Sequence, residues 1–173
     1  MKNMQKILFF EGVDKTGKTS ISKKLSEIIG IPYFKNNTEK KFFSDIEVAK
    51  YRWLDQLYLQ QFLEQTKYSA IIDRGFISDI VYTMVFRKHI LNDVLDNLKM
   101  VDELFAKIGA KIIYCYKDNH ALKDDIVDTS FYNDIANAYG ETLNMSKCNV
   151  LILNTTNEDL ESQICEVIKW LML

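Results

Sequence analysis

Arginine is scarce in this 173-residue chain: only Arg52, Arg74 and Arg87 stand among 22 basic residues. A guanidinium grips phosphate with two parallel hydrogen bonds, so each of the three becomes a candidate ligand. Histidine is scarcer. His89 and His120 lack any histidine or cysteine partner at ligand spacing, which favours surface or capping roles over metal binding or catalysis. The cysteines Cys115, Cys148 and Cys165 are odd in number, widely spaced and set in apolar stretches. Reduced core thiols are expected from that pattern, not a disulfide framework or a zinc site. No apolar run approaches the roughly 20 residues of a membrane span, and the N-terminal run ILFF is too short for a secretory signal. The expectation is a cytoplasmic protein with no membrane partner. A formal net charge of −2 supplies no global basic field for gripping nucleic acid. Repeats, linkers and low-complexity tracts are missing as well, which leaves one domain over residues 1–173 with room for a large core.

What is present alternates between strand-like and helix-like segments, the pattern of an α/β fold with a parallel sheet. Strands are predicted at 5–10, 31–34, 69–73, 111–116 and 150–153. Helices are predicted from residue 18 onward and at 44–67, 76–87, 91–108, 130–145 and after 155. Ser44 with Glu47, and Thr155 with Glu158, have the spacing of capping boxes. Five strands in this rhythm predict a doubly wound sheet with helices on both faces, whose ligands bind beyond the strand C-termini. The segment 117–130 is polar, acidic and without periodicity.

The stretch Gly12-Val13-Asp14-Lys15-Thr16-Gly17-Lys18-Thr19 fits the phosphate-loop pattern G-x-x-x-x-G-K-[ST] at every position. It stands between a predicted strand and a predicted helix, where successive backbone N–H groups and the helix N-terminus converge on phosphate oxygens. Gly12, Thr16, Gly17, Lys18, Thr19 and Ser20 are therefore the expected nucleotide ligands. Lys18 adds a point charge and the Thr19 hydroxyl can bind Mg²⁺. Asp73 ends a strand that faces this loop, the place from which a carboxylate reaches the same metal; a plain ion pair with Arg74 is its structural alternative. A guanine-reading Asn/Thr-Lys-x-Asp motif does not occur, which argues against a switch GTPase. The chain length suits a small-molecule kinase better than a motor or transport ATPase.

FFEGVDKTGKTS resembles the opening of thymidylate kinases, F-E-G-x-D-x-x-G-K-[ST], and IIDRGFISDIVYT resembles their D-R-Y-x-x-S-x-x-A-Y with Asp73, Arg74, Ser78 and Tyr82 in register. Arg52 stands 22 residues before Arg74, close to where that family places an arginine on its long helix. DDIVDTSFYNDIANAY is similar to the family's lid and the helix after it, which leads to Tyr139. The resemblance implies a P-loop kinase three-layer sandwich, a lid at about 117–130, and ATP with Mg²⁺ as cofactors. It implies phosphoryl transfer to a thymidine-type nucleotide, a small-molecule partner. A homodimer is among the expected assemblies.

It also implies residue roles. Asp14 is placed against the acceptor sugar's 3′-hydroxyl, a role that a negative charge set beside a polyanion favours over its structural alternative, an Asx-turn residue shaping the loop. Some members carry a basic residue straight after that aspartate and no arginine in the lid. This chain has Lys15 there and no arginine after Arg87, so Lys15 is the expected substitute for an arginine finger, with Lys117 or Lys123 sharing the task. Arg74, Lys35 and Arg52 are expected at the acceptor phosphate or base. Phe42 or Phe43 is expected to stack on a pyrimidine, with Tyr82 also in reach. The stripe Ile46, Ala49, Trp53, Leu57 reads as core. The chain departs from the family at Tyr33-Phe34-Lys35-Asn36-Asn37, where an Arg-Glu-Pro-like motif is usual, at Gly75 in place of the tyrosine, and at Gly109-Ala110 before the fourth strand. These departures fall on the acceptor side. They leave open a deoxynucleoside, or a hydroxymethylated pyrimidine in DNA, as acceptor. A nucleotide-binding regulatory protein with little turnover is the alternative from another class.

Overall fold

The computed structural model describes residues 5–36, 46–118, 129–157 and 159–172. Five strands form one sheet: β1 (Ile7–Glu11), β2 (Tyr33–Lys35), β3 (Ala70–Asp73), β4 (Lys111–Tyr116) and β5 (Asn149–Asn154). Their order is β2-β3-β1-β4-β5 and every pairing is parallel. Among the described residues six helices connect or follow them: α1 (Lys18–Ile29), α2 (Ile46–Thr66), α3 (Phe76–Phe86), α4 (Leu91–Lys107), α5 (Tyr132–Met145) and α6 (Leu160–Met172). Short 3₁₀ turns at Lys88–Ile90 and Thr129–Phe131 precede α4 and α5.

β1 and β3 are buried on both faces and β4 largely so, which explains their nearly continuous apolar runs, whereas the edge strands β2 and β5 are partly exposed. Alternate side chains enter two cores. Ile7, Phe9, Ala70, Ile72 and Ile112 meet α2, α3, α4 and α5. Leu8, Phe10, Ile71, Ile113 and Leu153 meet α1 and α6. The result is the expected three-layer α/β sandwich. Ala49, Trp53 and Leu57 of the α2 stripe do pack against or within the core.

One expected cap is replaced. Thr155 Oγ1 is turned to the carbonyls of Thr16 and Tyr116, each at 2.9 Å. The helix instead starts at Leu160, and the Asp159 carboxylate accepts from the Ser162 N–H. A buried hydroxyl whose proton is shared between a loop carbonyl and the last carbonyl of β4 is held there more firmly than at a solvated helix end. Glu158 and Ser44, the other members of the expected boxes, lie outside the described residues.

Gly75 accounts for one departure from the thymidylate kinase pattern. A Cβ at this position would lie 2.5 Å from the Phe9 ring, and Phe9 is locked edge-on against Phe76 and Phe105 with centroids 5.2 and 4.8 Å away. Phe9 fills the volume that a side chain at 75 would need. Gly75→Ala is expected to destabilise the fold by about 1–3 kcal/mol through overpacking. Combining it with Phe9→Leu should cost less than the sum of the two single changes, as urea denaturation of the four proteins will show.

Candidate active site

The chain leaves β1 at Glu11 and must turn within six residues to enter α1. Gly12 makes this possible with φ 134°. A Cβ there would overlap the Cys115 carbonyl oxygen, so only glycine lets the loop lie on the end of β4. Gly17 takes φ 83° just before the helix. Lys15 is left-handed at φ 63°, which an ordinary side chain rarely adopts. It places Lys15 at the turn of the loop, between Asp14 and Thr16.

Lys18 opens α1 and is buried. Its Nζ donates to the Val13 carbonyl at 2.6 Å and reaches Thr16 Oγ1 at 3.4 Å, so the ammonium lies under the loop. Burial, and then the Arg74 charge, lower its pKa to about 8. An added anion in this place would stabilise the protonated form. Thr19, on the same first turn, donates its hydroxyl to Asp73 Oδ2 at 2.5 Å. Register brings them together: Phe10 stands opposite Asp73, so β3 ends level with the start of the loop. Tyr33 OH donates to the same carboxylate oxygen at 3.0 Å; burial and then Asp73 raise its pKa to about 12, so the phenol keeps its proton.

Arg74 follows at φ 69°. Its N–H is held by the Phe10 carbonyl at 2.9 Å. Its guanidinium forms an ion pair with Asp14 and lies 5.6 Å from the centre of the Tyr82 ring. Such a backbone conformation in a non-glycine residue costs free energy and persists only where surrounding contacts hold it. Asp73 therefore serves Thr19 and Tyr33, while Arg74 serves Asp14. The Asp73–Arg74 ion pair is not the arrangement found.

Asp14, Lys15, Gly17, Lys18, Thr19, Ser20, Lys35, Asp73 and Arg74 line one open cavity of about 290 Å³. Gly17, Lys18, Thr19 and Ser20 of the expected nucleotide ligands therefore share a single space with Asp14, with Lys15 and with Lys35 from β2. Gly12 and Thr16 do not line it, Thr16 being buried with its hydroxyl on the Val13 carbonyl at 2.8 Å. The remaining expected residues have other surroundings. Arg52 Nε donates to Asp79 Oδ1 at 2.7 Å and Gln56 Nε2 to Asp79 Oδ2 at 3.2 Å. Burial raises the Asp79 pKa even though Arg52 opposes it, as for an ion pair whose desolvation is only partly offset. Arg87 is buried too, and feels the same carboxylate. Ser78 is buried, with its hydroxyl 2.5 Å from Glu11 Oε2 and 2.9 Å from Tyr139 OH. Lys117 directly follows β4. Phe42, Phe43 and Lys123 lie outside the described residues, as does most of the expected lid.

Beneath the loop is a network that residue types alone did not single out. Glu11 is fully buried and accepts from the Gly75 N–H at 2.8 Å and from Ser78. Tyr139, from α5, bonds to Ser78 and donates to the Gly12 carbonyl at 3.3 Å. Thr155 ties the Thr16 carbonyl to the end of β4. The phosphate loop is thus anchored from β3, α3, α5 and β5.

The oxygens of Thr19 and Asp73 suit a hard cation such as Mg²⁺, which takes few protein ligands and completes its shell with phosphate and water. Among the described residues no group of three His, Cys, Asp or Glu side chains forms a metal cage. No described helix is long and apolar enough to cross a membrane.

Burial, opposed most by the Ser78 hydrogen bond, raises the Glu11 pKa to about 7. Its folded value exceeds its unfolded one, so the folded state holds the extra proton between roughly pH 4.5 and 7. Stability from this group is complete below that window and is lost as pH rises through it. Relative to Glu11→Gln, the wild type should lose up to about 1.4 kcal/mol per pH unit across the window, measured by denaturant titrations at pH 5, 6 and 7.5.

No family model matches the chain, and no curated protein sequence matches it. Solved structures do. The YorR protein of Bacillus subtilis, in complex with phosphorylated GDP, superposes with TM-score 0.72 at 20% identity, over 96% of both chains. Thymidylate kinase from Ehrlichia chaffeensis superposes with TM-score 0.61 at 16% identity, over 96% of this chain and 99% of that one. Deoxyadenosine kinase from M. mycoides with bound dATP does so with TM-score 0.60 at 20% identity, over 98% and 100%. At these identities the likeness is one of architecture. This chain has the P-loop fold shared by thymidylate and deoxynucleoside kinases.

Proposed function

We propose that the protein is an ATP-dependent kinase that transfers a phosphoryl group to a thymidine-type nucleotide. One observation carries this reading: Lys15, Lys18, Lys35 and Arg74 line the same cavity as the Thr19–Asp73 pair. Phosphoryl transfer asks for in-line alignment and for positive charge around the equatorial oxygens, with little covalent work by the protein. Loop N–H groups and Lys18 would hold the β- and γ-phosphates. Thr19 and Asp73 would hold Mg²⁺, which would neutralise phosphate charge when bound. Lys15, at the turn of the loop, is in place to meet charge that develops on the transferring group. Asp14, oriented by Arg74, offers an acceptor to a sugar hydroxyl. The neighbouring folds of thymidylate and deoxyadenosine kinases support the reaction class.

The acceptor is the finer part of the proposal. A monophosphate brings close to two negative charges, and needs fixed cations beyond Lys18 and the metal. Arg74 and Lys35 line the cavity and would supply them. A specific observation favours a second reading, a deoxynucleoside acceptor: Arg74 pairs with Asp14 and Arg52 with Asp79, so each guanidinium already faces a carboxylate. With ATP, thymidine monophosphate should outcompete thymidine as acceptor, and Arg74→Ala should remove most of that preference. Coupled ADP-release assays with both acceptors will decide. Turnover of thymidine, or of hydroxymethylated DNA, without turnover of the monophosphate would overturn the acceptor assignment. Absence of ADP release with every acceptor would favour a nucleotide-binding regulatory protein.

Lys15→Met should lower kcat far more than it raises KM for ATP, because its charge acts on the transition state. Arginine fingers supply roughly 10³–10⁵-fold, and a lysine in the same chain should fall at or below the low end. A drop in kcat of less than about threefold in steady-state assays would remove Lys15 from the transfer step.

A further inference from the structure

Tyr33 belongs to no motif that the sequence matches, yet its hydroxyl reaches the carboxylate beside the phosphate loop. The geometry follows from strand register. In the parallel pairing of β2 with β3, Tyr33 stands opposite Ile71 and Lys35 opposite Asp73. Side chains two apart share a face of the sheet, so the long phenol of Tyr33 crosses diagonally towards the strand end and meets Asp73 Oδ2 at 3.0 Å. A threonine or serine at this position could not span that distance. Lys23 of α1 lies over the ring, its Nζ 5.7 Å from the centre. Lys23 is four residues after Thr19, one helical turn along the same helix. Tyr33 thereby links the first turns of α1 to the end of β3.

The consequence lies in which carboxylate oxygen is used. Asp73 Oδ2 accepts from both Thr19 Oγ1 and Tyr33 OH. A hydroxyl that donates its proton keeps lone pairs for a cation, so Thr19 can bind a metal without leaving Asp73. With two donors on Oδ2, the rotamer of Asp73 is set and Oδ1 is the oxygen left to face the metal's shell. We propose that Tyr33 is a positioning residue for the Mg²⁺ of the bound nucleotide, acting through Asp73 and touching neither metal nor phosphate. This inference rests on the reading of the loop as a Mg²⁺–nucleotide site. Outer partners that orient a ligating side chain commonly matter by about 10–100-fold in metal affinity.

Tyr33→Phe tests it, because the ring and its contact with Lys23 remain and only the hydroxyl is lost. The probe is a fluorescent ATP analogue with an imido β–γ bridge. Its affinity is measured without metal, and then at a fixed concentration while Mg²⁺ is titrated. The expected result is a Mg²⁺ midpoint raised at least fivefold in Tyr33→Phe, with metal-free affinity for the analogue within twofold of wild type. A Mg²⁺ midpoint within twofold of wild type would overturn the proposal. An equal loss of metal-free affinity would overturn it too, since Tyr33 would then be supporting the loop as a whole. If the wild type itself binds the analogue with no response to Mg²⁺, the reading of the site fails, and this inference fails with it.

Discussion

The parallel pairing of β1 between β3 and β4 is the constraint on which the site depends. It sets Phe10 opposite Asp73 and Glu11 opposite Tyr114, so β3 ends within one residue of β1 while β4 runs two residues further. A loop leaving the central strand there is next to Asp73 and Arg74 on one side and next to the end of β4 on the other. A slip of one residue would move Asp73 and turn its side chain to the other face. The two apolar cores guard against that slip, since alternate residues of every inner strand are committed to opposite helical layers. Packing that stabilises the fold therefore also fixes the geometry of a polar site that packs nothing.

Charge in this site is arranged against local preference. Lys18 and Glu11 are both buried at the loop, and burial moves each towards its neutral form. Left-handed backbone at Lys15 and Arg74 adds strain. Local cost of this kind is typical of surfaces shaped for a ligand, because the groups that would relax it come with that ligand. Glu11 illustrates how the cost is contained. Its carboxylate receives the Gly75 N–H and the Ser78 hydroxyl, and through Ser78 it is joined to Tyr139 and the Gly12 carbonyl. A half-satisfied network would destabilise the core; this one immobilises the loop from below.

The two arginines expected at the acceptor show how tertiary context changes the meaning of a residue. Arg52 and Arg74 were singled out because arginine is rare and suits phosphate. Each is found against a carboxylate, Asp79 and Asp14 respectively. The pairs have different settings: the Arg74 pair borders the open cavity, whereas Asp79 is held between helices by Arg52 and Gln56. Arg74 thus lines the cavity, and Arg52 does not.

The sequence by itself determined the elements and the phosphate loop. Strand and helix periods and a glycine-lysine-threonine signature are local properties, and local chemistry suffices to read them. Tertiary structure alone decided which side chains converge. Tyr33 and Asp73 are 40 residues apart, Tyr139 and Gly12 are 127 apart, and Thr155 and Thr16 are 139 apart. No period links such positions, because strand order and register bring them together and these emerge from the packing of the whole sheet. The exchange of the Thr155 cap for a bond to the loop, and the clash that leaves room only for glycine at position 75, are decided by neighbours far along the chain.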